Sequence, residues 1–74
     1  MNMTDTVKKI FSAYGFSASP LTDEEIKKCL DAGLTPDDVY NIGCDTHAGF
    51  TFESCFIDTM AGNPSVYKRC NAPI

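Results

Sequence analysis

The side chains with the most reactive chemistry are four cysteines and a single histidine: Cys29, Cys44, Cys55, Cys70 and His47. No two of the cysteines form a C-x-x-C pair, but Cys44 and His47 form a C-x-x-H pair, with Cys55 and Cys70 following. Thiolate and imidazole are the ordinary ligands of a tetrahedral zinc ion, so Cys44, His47, Cys55 and Cys70 define a zinc-stabilised structural reading. Their spacing fits no familiar zinc module, and the leading expectation is no metal and no cofactor. Cys29, Cys55 and Cys70 fall on apolar helical stripes, where cysteine behaves as a small hydrophobe. A nucleophilic pairing of Cys44 or Cys55 with His47 is chemically conceivable. However, no Gly-rich oxyanion turn or orienting third group accompanies it, so no enzyme is expected.

Ten carboxylates face six basic residues, a net charge of −4. Most of the carboxylates stand at helix starts, where the positive end of the helix dipole favours them. Asp37, Asp38 and Asp45 flank one short helix. With Tyr40 and Asn41 they form the candidate partner-binding face, because tyrosine and charged rim residues suit interfaces. The acidity disfavours nucleic acid and anionic membranes, which demand Lys and Arg. It favours a protein partner with a basic surface.

These residues need elements to position them, and the signals are almost all helical. Val7, Ile10, Phe11 and Tyr14 recur at helical spacing, and Gly15 closes that segment. Thr22 with Glu25 makes a capping box, Ile26, Cys29 and Leu30 form the stripe, and Gly33 ends the helix. Thr35 and Pro36 start a third helix, which Gly43 is expected to end near residue 42, leaving 44–49 as a polar loop. Thr51 caps a fourth helix, although Phe50-Thr51-Phe52 also carries strand propensity. Asn63 and Pro64 open a short fifth helix to Cys70, and 71–74 read as a frayed tail. The expectation is all-α: one domain over 1–74, of four to five short helices.

Residues 22–42 resemble a helix-turn-helix in outline, which implies a transcriptional regulator as the alternative function. The second helix of such a unit meets DNA with its first residues. Here these are Pro36, Asp37 and Asp38, which would face phosphate oxygens. No stretch approaches the roughly 18 apolar residues of a membrane span. The start, without an apolar run behind a basic one, reads as no secretory signal, which leaves a cytoplasmic expectation.

Tyr14, Phe16, Phe50, Phe52, Phe56 and Tyr67 are many aromatics for so small a core. They either close that core or mark a homodimer or partner surface. Size, acidity and the lack of catalytic apparatus favour a protein-interaction module. By analogy of size and charge this is an inhibitor or regulator of a larger intracellular assembly, of the virus- or plasmid-encoded kind acting in the host cytoplasm.

Overall fold

A computed structural model describes residues 3–63. Within them lie four helices and no strand: α1 Met3–Ala13, α2 Asp23–Asp31, α3 Pro36–His47 and α4 Phe52–Met60. The expected fifth helix and the tail after it lie outside the described residues.

The helix starts follow their caps. Thr22 Oγ1 accepts from the Glu25 N–H, and Glu25 Oε1 accepts from the Thr22 N–H at 2.8 Å. Thr35 and Asp38 repeat the exchange at 3.2 Å in each direction. Thr51 caps α4 by accepting from the Ser54 N–H, so Phe50-Thr51-Phe52 leads into a helix and not a strand. Satisfying otherwise orphaned N–H groups contributes about 1 kcal/mol per cap.

Each helix also ends in the same closure. After α2, Leu34 N–H donates to the Cys29 carbonyl and Gly33 N–H to that of Leu30. This is the pairing of a Schellman motif. The homologous bonds close α1 at Phe16, α3 at Phe50 and α4 at Asn63.

The third helix is the main correction. It does not stop at Gly43; it runs on through Cys44, Asp45 and Thr46 to His47. Its stop is Gly49, at φ 116°, a conformation that a side chain would strain. Gly43 serves another purpose. A Cβ there would sit 2.5 Å from Phe11 Cε1 and 3.2 Å from Pro20 Cγ. The glycine is what lets α1 and the 16–22 connector approach the α3 backbone.

α3 is accordingly the central element, packed against α1, α2 and α4. Ile42, Gly43, Cys44 and Asp45 are buried in succession, which a one-sided helix would not allow. Val7, Phe11, Leu21, Ile26, Cys29, Val39, Ile42 and Cys55 form the core. α4 contributes one buried residue, Cys55, and leans on half-buried Phe52 and Phe56. Lys28 of α2 lies over those rings, 5.0 Å from the Phe56 centroid and 5.9 Å from that of Phe52. Among the described residues, no helix is long and apolar enough to cross a membrane.

Candidate functional site

The five residues of the expected acidic face have different fates. Asp37 is exposed on the first turn of α3, and among the described residues it makes no ion pair. Asp38 is half-buried, and its Oδ2 accepts from the Thr35 N–H, so its carboxylate serves the helix cap. Tyr40 and Asn41 are half-buried on the next turn. Asp45 is 3% exposed, so it does not belong to a surface face. The expectation placed it in a loop, whereas the extended α3 turns it inward.

What the sequence reading missed is an aromatic ladder that rises from the core to the surface. Phe11, fully buried, lies 5.6 Å from the Tyr40 ring. Tyr40 lies 4.8 Å from Tyr14, tilted by 36°. Tyr14, on the closing turn of α1, is 68% exposed. Phe16 meets Phe11 edge-on at 5.5 Å and receives the His47 ring at 5.2 Å and 85°. Such offset and edge-on pairs add roughly 0.5–1.5 kcal/mol each beyond burial. The sequence puts Tyr14 on a helical stripe and Tyr40 on the candidate partner-binding face. Nothing in the spacing joins α1 to α3.

Beside this ladder, an open groove of about 460 Å³ is lined by Tyr14, Phe16, Pro20 and His47, among others. Asp37, Tyr40 and Asn41 thus follow one another within a turn and a half of α3, Tyr40 pairs with Tyr14 of the α1 end, and Tyr14 and His47 line the groove.

The cysteines do not extend that site. Cys29, Cys44 and Cys55 are buried free thiols. Burial pushes the Cys29 thiol up to about 11, with Glu25 nearby adding to the effect. Burial also raises Cys44, against a hydrogen bond with the Tyr40 side chain that pulls it down. Cys55 is raised by burial and then by the Asp45 charge. All three are held as neutral thiols, the opposite of an activated nucleophile. His47 stands exposed at the end of α3, one turn beyond buried Cys44. Cys70 lies outside the described residues. Among those described, no three His, Cys, Asp or Glu residues gather as a metal site.

The helix-turn-helix outline is present as α2, residues 32–35, and α3. Yet α3 is covered by three neighbours, and its exposed first turn presents Asp37.

Two expectations follow from this geometry. Asp38→Lys should lower unfolding free energy by about 1 kcal/mol more than Asp37→Lys, because only Asp38 closes a capping box. Urea titration of the two variants checks this, and equal losses would show that the Asp38 bond contributes nothing.

The second concerns alkaline pH. Cys29 ionises near its ordinary 9.0 when unfolded but at about 11 when folded. Between those values the folded state holds more protons than the unfolded, so stability falls as pH rises. The contribution is complete below pH 9 and lost by about 11. Stability measured across that window should decline more steeply in the parent than in Cys29→Ala, and parallel curves would contradict the burial of this thiol.

Compared with protein-family models, with curated proteins and with solved structures, the chain matches none.

Proposed function

We propose that this chain is a small acidic protein-interaction module, an inhibitor or regulator of a larger intracellular assembly with a basic contact surface. It is of the kind that viruses and plasmids encode, and it works by occupying that surface, sterically or by charge mimicry. The observation that carries this reading is the exposed Tyr14 ring, held against Tyr40 above the core, with the exposed Asp37 one turn before Tyr40 on α3. Ordered aromatics with charged neighbours are the usual anchors of binding surfaces.

Charge supports it further. Ten carboxylates against six basic residues leave the chain at −4, which favours fast encounter with a basic protein.

The proposed contact set is Tyr14, Asp37, Tyr40 and Asn41; Asp38 is left out because its carboxylate serves the cap, and Asp45 because it is buried. The test is affinity capture from lysate of the native host, with and without nuclease, using the parent chain and a Tyr14→Ala/Asp37→Lys variant. A stoichiometric protein that survives nuclease and is lost with the variant is the expected result. The variant must keep the parent's helical circular dichroism. Recovery of nucleic acid alone would reject this reading in favour of the helix-turn-helix regulator.

A further inference from the structure

We propose that the Tyr14–Tyr40 shelf and Asp37 together receive an arginine side chain of the protein partner. The guanidinium would stack on the exposed Tyr14 ring and hydrogen-bond to the Asp37 carboxylate. This rests on the interaction-module reading above and names the chemistry of its contact.

The shelf is built before any partner arrives. Phe11 is locked in the core, Tyr40 rests on Phe11, and Tyr14 rests on Tyr40. An aromatic surface ordered in this way loses little freedom on binding, so more of the contact energy appears as affinity. One side of the Tyr14 ring is taken by Tyr40, and the residue's 68% exposure leaves the rest to solvent. Among the described residues, no cation lies over Tyr14.

The electrostatics select the occupant. The face of an aromatic ring carries negative potential, and Asp37, one turn before Tyr40 on α3, adds a full charge, so the site suits a cation. Asp37 has no ion-pair partner among the described residues, and the capping role falls to its neighbour Asp38. Asn41, one turn further along α3, adds an amide that can accept from a second N–H. The planar guanidinium can stack and donate to a carboxylate at the same time, which the compact ammonium of lysine cannot. The chain already uses related chemistry within itself, where Lys28 sits over the stacked Phe52 and Phe56 rings. That place is filled, whereas among the described residues no cation takes the corresponding position at the Tyr14 shelf.

The test titrates the isotope-labelled full chain with hexa-arginine and with hexa-lysine, peptides of equal charge, at physiological salt. Amide chemical shifts report the location. Saturable shifts confined to Tyr14, Asp37, Tyr40, Asn41 and their neighbours are expected, with arginine about threefold tighter than lysine. Tyr14→Ala and Asp37→Asn should each weaken the arginine peptide by roughly fivefold, with shifts elsewhere unchanged. Equal affinity for the two peptides, shifts scattered over all the carboxylates, or indifference to Tyr14→Ala would each overturn the proposal. If the lysate partner depends on Tyr14 and Asp37 while arginine shows no preference, the arginine assignment falls and the module reading stands. If the peptide binds selectively at the shelf but no host protein is captured, the shelf chemistry stands and the module reading falls.

Discussion

Gly43→Val is expected to remove about 3 kcal/mol or more of stability, although glycine inside a helix is ordinarily a weakness. Helix propensity alone predicts a gain of about 1 kcal/mol on replacing Gly43 with alanine. The close approach of Phe11 reverses that sign. A Cβ at residue 43 meets the edge of a ring that is 1% exposed and packed between Phe16 and Tyr40, so it has nowhere to retreat. Overfilling a packed core costs typically about 1–3 kcal/mol, and the branched valine adds further crowding toward Pro20. Gly43→Ala should therefore lose about 1–2 kcal/mol, and Gly43→Val more. The measurement is urea unfolding of each variant alone and combined with Phe11→Leu, whose shorter side chain should relieve the clash. A coupling of about 1 kcal/mol or more between the two positions is expected from residues in direct contact. A stabilised Gly43→Ala would mean that α1 and α3 do not approach as described.

Phe11→Ala should have the largest effect of all, a loss of about 3–5 kcal/mol, the usual result of truncating a buried phenylalanine. A chain of 74 residues has roughly 4–11 kcal/mol in total at about 0.05–0.15 kcal/mol per residue. The variant should therefore be partly unfolded at moderate temperature. Phe11 is also the base of the aromatic ladder, so the loss should reach the surface. The near-ultraviolet circular dichroism of the tyrosines should weaken as Tyr40 loses its support and Tyr14 loses Tyr40. Phe11→Leu should keep most of the stability while reducing that signal. A truncation costing less than about 1 kcal/mol would remove Phe11 from the centre of the core.

The two predictions bear on function through one residue. Phe11 meets Gly43 on one side and Tyr40 on another, so the packing that closes the core also supports the proposed binding shelf. Small domains have little buried surface to spare, so one buried ring here supports both contacts.

Much of the fold was legible in the residues themselves. Thr22 with Glu25, Thr35 with Pro36, and Thr51 marked the helix starts that the structure shows. Gly15 and Gly33 marked ends. Apolar spacing identified Val7, Phe11, Ile26, Cys29 and Cys55 as inward-facing, and these are buried, whereas Tyr14 at the end of the first stripe is exposed. Of the candidate face, the exposure of Asp37 could be anticipated from its place on the first turn of α3. The second capping box was also within reach, since Thr35 and Asp38 have the required spacing; aspartate at the last position was read only as a dipole partner.

The sequence by itself determined what depends on near neighbours: helical class, where most helices start and stop, and the inward stripes of α1 and α2. These rest on bonds and contacts within four residues, which a linear pattern displays. Only the tertiary structure decided that α3 continues past Gly43, that Asp45 is buried, and that Tyr14 meets Tyr40. Each depends on segments distant in the chain. The Phe11 ring makes a glycine in mid-helix necessary, and the helices around α3 bury side chains that a one-sided stripe would leave outside. A local pattern records what each residue prefers. It does not record which neighbour arrives from elsewhere to overrule that preference.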